Sequence, residues 1–292
     1  MGDCLFCNSG KYTNSYYPDF TFNKKKFRYV TCANCQLTYI HPSLDNDDLN
    51  RLYSIDYHNE FYFTPKNHDH QQALLLKQFK PSGRLLDYGC GDGSFLHFFK
   101  GKDYSLFGAE YNPKLVQKLN QHHTGISFFT INDILTSDDH QFDIIHLGDV
   151  LEHLVNPAEV IKTLRKRLAP GGVLFVEGPV EHNFHVALFF RKIFFRLRKA
   201  VQPRRMVAIR PFHVFFSNQK NQLSFFKSLR YQTRHYQLFE WGWPFIDRWQ
   251  EAKSLRQKGE YMVANLSIAC SKLVNGWGNR FYYFGKPTKE EA

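Results

Sequence analysis

The stretch that most constrains this chain is Arg84-Leu85-Leu86-Asp87-Tyr88-Gly89-Cys90-Gly91-Asp92-Gly93. Leu85 and Leu86 read as the buried end of a strand, an acid and alternate glycines follow at once, and residues 94–99 (SFLHFF) open a helix. Strand, glycine turn and helix in that order bring a ligand against bare backbone at the carboxyl edge of a parallel sheet. The dinucleotide fingerprint requires its third glycine where Ser94 stands, so the run is G-x-G-x-G behind an acid. An ordinary strand-to-helix turn has the same local pattern, and the rest of the chain has to decide.

Downstream, strands and helices alternate as in a doubly wound sheet. Residues 104–109 form a second strand that ends on Glu110, and Pro113 opens the next helix. An acid about twenty residues past the glycine turn, at the end of the adjacent strand, can accept both hydroxyls of a ribose. Residues 126–130 are a third strand, 142–147 a fourth and 173–177 a fifth, the last preceded by the turn at 168–172. Residues 231–239 and 280–284 complete seven strands, the last one reversed, and Ser217 is placed to cap the helix before the sixth.

The run Asp87-x-Gly89-x-Gly91-x-Gly93 resembles motif I of the class I S-adenosylmethionine-dependent methyltransferases. Asp149-x-Leu151-Glu152-His153 resembles the D-x-L-E-H segment of the group that includes the ubiquinone O-methyltransferases. The resemblance runs over roughly residues 1–240. It implies S-adenosylmethionine as cofactor, held by Asp87, Gly89, Cys90, Gly91, Gly93, Glu110, Tyr111, Asn132, Asp133, Ile134, Gly148, Asp149 and His153. Within that set it puts Asp133 on the adenine amino group, with Asn132 or Ile134 beside the ring. The expected fold is α/β: a Rossmann-like seven-stranded methyltransferase sheet with an N-terminal zinc ribbon and a helical insertion after strand five.

The ribbon rests on spacing. Four of the six cysteines stand as Cys4-x-x-Cys7 and Cys32-x-x-Cys35. Two such pairs, each supplying two thiolates from one tight turn, are the pattern of a four-thiolate zinc site. Four thiolates leave no position for water, so the expected zinc is structural. Disulfides are the competing reading, and the N-terminus MGDCLFCNSG offers no signal peptide to favour them. The expected division is a ribbon at 1–42, a helical lid or linker at 43–82, and the methyltransferase domain at 83–292. His41-Pro42 and the Leu-Tyr and Asp-Tyr pairs that follow resemble bacterial methyltransferases of sugars, surface polysaccharides and secondary metabolites. That likeness makes Tyr57 and Tyr62 candidate lid residues. Packing of the ribbon onto the main domain is the plainer role for both.

The net charge of +11 is concentrated. Between Glu181 and Glu240 there are 12 Lys and Arg and no Asp or Glu. Within the insertion at 183–216, residues 183–200 interleave Phe189, Phe190, Ile193, Phe194 and Leu197 with Arg191, Lys192, Arg196, Arg198 and Lys199. Such a stretch suits an anionic small or carrier-linked acceptor, an anionic membrane met peripherally through 184–205, or an RNA backbone. A solvated helix face is the neutral alternative. With no apolar run long enough to span a bilayer, the expected location is the cytoplasm or the inner membrane surface. No feature sets the oligomeric state.

Methyl transfer to a hydroxyl needs a base, and Asp149, Glu152, His153, Glu181, His182, His185 and His213 are candidates, with His153 and His213 foremost. The strand-four run Leu147-Gly148-Asp149-Val150 lacks the Asn/Asp-Pro-Pro-Tyr/Phe signature of amino-directed enzymes. The expected function is therefore methyl transfer to a small or carrier-linked hydroxyl, with carbon as the other nucleophile. An RNA methyltransferase is the enzymatic alternative, and a non-catalytic binding module at a membrane or in a complex is the other.

Overall fold

The computed structural model describes residues 3–52, 66–136, 140–202, 206–208, 213–241 and 249–288. Tyr57 and Tyr62, positions 203–205 and 211–212, and Trp243 lie outside the described residues. In chain order the elements begin with β1 (Tyr12–Asn14), β2 (Phe20–Phe22), β3 (Lys25–Cys32), β4 (Thr38–His41), α1 (Asn46–Leu52) and α2 (Lys66–Phe79). There follow β5 (Gly83–Tyr88), α3 (Ser94–His97), β6 (Tyr104–Glu110), α4 (Pro113–His122), β7 (Ile126–Thr130) and α5 (Ile131–Thr136). Next come β8 (Phe142–Gly148), a 3-10 turn (Leu151–His153), α6 (Pro157–Lys166), β9 (Leu168–Pro179) and α7 (Val186–Val201). The last are β10 (Val207–Ala208), β11 (Phe215–Phe216), α8 (Gln219–Ser228), β12 (Tyr231–Phe239), α9 (Leu255–Leu273) and β13 (Arg280–Pro287).

The chain forms two compact units. The first takes Met1–Leu44, Gly178–Phe225 and Tyr236–Tyr282, and the second takes Asp45–Glu177, Phe226–His235 and Tyr283–Ala292. This differs from the expected boundaries at 42 and 82. In the first unit β10 lies parallel to β2, and β11 lies antiparallel to β4. Together with β1, which pairs with β3, they make a six-stranded sheet in the order β10–β2–β3–β4–β11. The β3–β4 hairpin, which carries Cys32 and Cys35, thus shares a sheet with residues beyond 200, which cover edges that would otherwise stay open.

The seven-stranded mixed sheet has the order β12–β13–β9–β8–β5–β6–β7. Its strands β9, β8, β5, β6 and β7 run parallel. In the middle of it Leu85, Leu86, Ile144, Ile145, Leu174 and Val176 are fully buried, as near-continuous apolar runs should be when helices cover both faces. Strand five is longer than expected because residues 168–172 enter it through an irregularity. Leu168 pairs with Phe142 and Val173 with Ile144, so the intervening Ala-Pro-Gly-Gly segment bulges out of register.

Two local expectations are revised. Ser217 does not cap α8. Asn218 does, its Oδ1 accepting from the Asn221 N–H at 3.0 Å while the Asn221 Oδ1 accepts from the Asn218 N–H at 2.9 Å. Ser217 is buried instead, accepting from Gln222 Nε2 at 2.8 Å. Residues 241–273, unassigned from sequence, contain α9, which starts at a reciprocal capping box between Ser254 and Gln257. Among the described residues no helix is long and apolar enough to cross a membrane.

Candidate functional site

Within the second unit the carboxyl ends of β6, β5 and β8 lie side by side. Past Tyr88 the chain turns through Gly89, Gly91 and Gly93 with φ of 83°, 54° and 78°, the left-handed region open to glycine at no steric cost. At Gly89 a Cβ would stand 2.4 Å from Cγ2 of Val150, so only a bare backbone fits. The turn is pinned to β6, where the N–H groups of Gly89 and Cys90 both donate to the Ala109 carbonyl, at 2.7 and 3.0 Å.

Glu110, buried at the end of β6, fastens the same turn from its side chain. Its Oε2 accepts from the Gly91 N–H at 3.0 Å and its Oε1 from the Tyr111 N–H at 2.8 Å. A carboxylate held by backbone donors has no rotamer freedom left to lose when a ligand arrives. The Tyr111 hydroxyl, partly in solvent, donates to Asn50 Oδ1 at 2.9 Å. After β7, Asp133 Oδ2 accepts from the Thr130 N–H at 3.0 Å and from Thr130 Oγ1 at 2.6 Å. Those bonds hold its carboxyl below the usual range and close the first turn of α5. Asn132 is exposed, whereas Ile134 is buried and its carbonyl accepts from Arg167 Nε at 3.1 Å.

After β8, Asp149 adopts φ 51°, a conformation Asp tolerates better than most residues, and its N–H donates to the Glu177 carbonyl at 3.1 Å. Glu152 is buried in the 3-10 turn and His153 is half-buried, with Nε2 3.9 Å from Glu152 Oε1. Asp87, the glycines, Cys90 and Glu110 therefore gather around one turn, while Asp133 and the segment from Gly148 to His153 follow the flanking strands.

One residue of this site escapes sequence reading. His146, paired in register with Asp87 across β5 and β8, places Nδ1 2.8 Å from Asp87 Oδ1, both side chains being buried. Its ring stacks on Phe95 at 4.0 Å and lies 4.8 Å from Phe175, while Nε2 is buried with no hydrogen-bond partner among the described residues. The available signal was a single histidine inside the apolar run Ile144-Ile145-His146-Leu147, level with the motif acid.

Residues 59–240 match a protein family described as "Methyltransferase domain". This chain belongs to that methyltransferase-domain family. Over 125 residues it is 30% identical to the ubiquinone biosynthesis O-methyltransferase of Coxiella burnetii, covering 41% of this chain and 51% of the relative. Over 98 residues it is 29% identical to the protein of that name from Pseudomonas syringae pv. tomato, covering 32% of this chain and 42% of the relative. The chain thus spans about half the length of the curated relatives it matches. A SAM-dependent methyltransferase from Archaeoglobus fulgidus shares the fold, with a TM-score of 0.51 at 15% identity over 80% of this chain and 99% of that one. So does the complex of the Haloferax volcanii Trm112 methyltransferase activator and the putative methyltransferase, with a TM-score of 0.51 at 14% identity over 84% and 100%.

The turn of this methyltransferase domain fits a nucleoside-bearing cofactor. It offers glycine backbone where a side chain would intrude, and a fixed carboxylate at the neighbouring strand end. Cys90 is not a nucleophile there: burial first, then the charges of Asp87 and Glu110, raise its thiol well above the usual value.

In the first unit the sulfurs of Cys4, Cys7, Cys32 and Cys35 all lie within 4.8 Å of one another. Cys4 and Cys35 are 3.4 Å apart, Cys7 and Cys32 are 3.6 Å apart, and none is in a disulfide. Tetrahedral thiolates about 2.3 Å from one zinc stand roughly 3.8 Å from each other, so the cluster fits that ion. The two knuckles are built alike. Asn8 and Gln36, both at positive φ, donate their N–H groups to the Cys4 and Cys32 carbonyls at 2.9 and 3.1 Å. The Cys35 thiol hydrogen bond lowers Cys4 to about 5, and the same contact raises Cys35.

The first unit also holds three further candidate histidines, His182, His185 and His213. Glu181 Oε1 lies 2.6 Å from His213 Nδ1, and the His213 carbonyl accepts from the Tyr29 hydroxyl at 3.2 Å. His182 Nε2 is 3.1 Å from the Tyr16 hydroxyl and 3.3 Å from that of Tyr17. Burial pushes His182 down to about 3 and His185 to about 4, so both are neutral near pH 7. Neutral and enclosed, they are weak bases, which leaves His213 as the histidine of this unit with a carboxylate to orient it.

Proposed function

We propose that this chain transfers a methyl group from S-adenosylmethionine to the hydroxyl of a small or carrier-linked acceptor. The observation that carries the reading is the Glu110 clamp, a buried carboxylate bonded to Gly91 and Tyr111 at the mouth of a turn that has no room for a side chain at Gly89. Bound S-adenosylmethionine supplies a methyl group on a cationic sulfur, already activated for displacement.

The chain's own residues then have separable tasks. Glu110 accepts the ribose hydroxyls, the glycine turn passes beneath the amino-acid portion, and Asp87, fixed by His146, orders that turn. Asp133, Asn132 and Ile134 serve the adenine side, Tyr111 flanks the ribose, and Gly148, Asp149 and His153 shape the wall after β8. Displacement requires the acceptor oxygen about 3 Å from the methyl carbon and in line. The candidates for the base that takes the acceptor's proton are His153 and His213; the Glu181 carboxylate on Nδ1 of His213 would orient that ring and stabilise its imidazolium. An oxygen acceptor agrees with the relatives named ubiquinone biosynthesis O-methyltransferase. We further infer a structural zinc on Cys4, Cys7, Cys32 and Cys35, because four thiolates leave no coordination position for substrate.

Calorimetric titration with S-adenosylmethionine tests the reading. Wild type is expected to bind, Glu110→Ala to bind roughly tenfold to a hundredfold more weakly, and Glu110→Gln to fall between, as for hydrogen bonds to a charged group. No binding by folded wild type would overturn it. Transfer of a labelled methyl to RNA and not to hydroxylated small acceptors would overturn the acceptor class alone.

A further inference from the structure

Helix α7 of the first unit is amphipathic with its polarity reversed. At 3.6 residues per turn Phe189, Phe190, Ile193, Phe194, Leu197 and Val201 fall within an arc of about 140°. Each of these six side chains is between 41% and 77% exposed. The opposite side, where a surface helix normally carries its apolar stripe, holds Arg191, Lys192, Arg198 and Lys199, all half-buried. Two of those cations are anchored inward. Arg191 Nη2 donates to the Glu181 carbonyl at 2.7 Å and Lys199 Nζ to the Ser15 carbonyl at 2.8 Å. Scattered exposed hydrophobics need no explanation, but six contiguous ones on one helix face mark a surface that something covers.

Charge selects the cover. The helix has five cations and no acid, and no Asp or Glu stands between Glu181 and Glu240. Arg196 and Arg198 stand just outside the two edges of the apolar arc, so a second copy meeting this face would bring like charges together, and an uncharged apolar partner would leave them unanswered. Burial, and then the neighbouring Arg196 and Arg191, already hold the Lys192 amine below its usual value. Beside the helix a recess of about 150 Å³ is lined by Arg28, Arg198, Lys199, Asn14 and Gln202 together with Asp19. Three cations against one carboxylate make it suited to a phosphate.

We propose that α7 lies in the plane of an anionic lipid bilayer, its phenylalanine face among the acyl chains and Arg196 and Arg198 at headgroup level. The side chains have the reach for this: an arginine stem runs along apolar surface while its guanidinium stays with the phosphates. The face is built for adsorption, not for spanning, because the opposite side of the helix is packed on its own unit.

Co-sedimentation with vesicles decides it, comparing phosphatidylcholine alone with phosphatidylcholine carrying about one third phosphatidylglycerol. Wild type is expected to pellet with the anionic vesicles, to be released as salt rises, and to pellet far less with the neutral ones. The double variant Phe190→Ser/Leu197→Ser changes only exposed positions and should bind at least tenfold more weakly. A Leu197→Trp variant keeps the face apolar, and its indole emission should be quenched by brominated acyl chains. Unchanged pelleting of the double variant, no preference for the anionic vesicles, or unquenched emission from the Leu197→Trp variant would overturn the proposal. So would a solution dimer that the double variant splits.

Discussion

Asp87 and His146 show how much of a ligand site is decided by one buried contact. A polar group as enclosed as the Asp87 carboxyl is costly to bury without a partner, and His146 Nδ1 at 2.8 Å is that partner. His146→Leu should therefore destabilise the fold by roughly 3 kcal/mol, since breaking a buried pair leaves the other partner uncompensated. Adding Asp87→Asn to that variant should recover part of the loss. Denaturant melts of the two singles and the double measure the coupling, and additive losses would show that the pair does not act as a unit. The contrast with Glu110 is instructive. Glu110 was legible because its place at a strand end, a fixed distance past the glycine turn, is a rule about chain geometry. His146 was not, because its role depends on which residue of a non-neighbouring strand stands level with it. Register between β5 and β8 is set by packing, and no local pattern prints it.

Among the elements, the two cysteine knuckles were read from spacing alone, since a Cys-x-x-Cys turn is short-range and stereotyped. Their match extends to the left-handed residues Asn8 and Gln36 that close each one. The chain should copurify with about one equivalent of zinc, released by a thiol-modifying reagent and measured with a chromogenic chelator. Cys7→Ser or Cys35→Ser should lower the thermal midpoint by at least about 10 °C, because losing one thiolate weakens the metal's hold on both turns and on Phe6, which the first turn packs against Phe215 and Phe225. A metal-free wild type that melts no earlier would sink the structural-zinc reading. The strands β10 and β11 illustrate the opposite limit. Each is only two residues long, too short for any alternation to register, and each exists because an edge of the N-terminal sheet receives it. Helix α9 was missed for a different reason: its start carries a clear capping box, but its exposed face bears Leu255, Met262, Leu266 and Leu273, so its apolar pattern does not separate an inside from an outside.

For the molecule as a whole, the enclosed histidines tie stability to pH. His182 and His185 have folded values of about 3 and about 4, against 6.5 for an unperturbed histidine. Below 6.5 the unfolded chain therefore binds protons that the folded chain refuses, and each such proton weakens the fold by up to about 1.4 kcal/mol per pH unit. Stability should be fully present above the unfolded value and decline as pH falls from 6.5 toward 4, the net charge of +11 adding self-repulsion in the same direction. His182→Gln should flatten that decline in thermal melts taken from about pH 7.5 to about 4.5. An unchanged slope would remove His182 from the account.

The sheet that joins β4 to β11 also orders events on the ribosome. The edge formed by Thr38–His41 is completed by Phe215–Phe216, so about 175 further residues must be made after the first strand leaves the tunnel. At 5–20 residues per second that is a wait of roughly 10 to 35 s, during which four thiols and an open strand edge face the cell. Early capture of a metal ion by the nascent knuckles would shelter the thiols, leaving the strand edge to wait for β11.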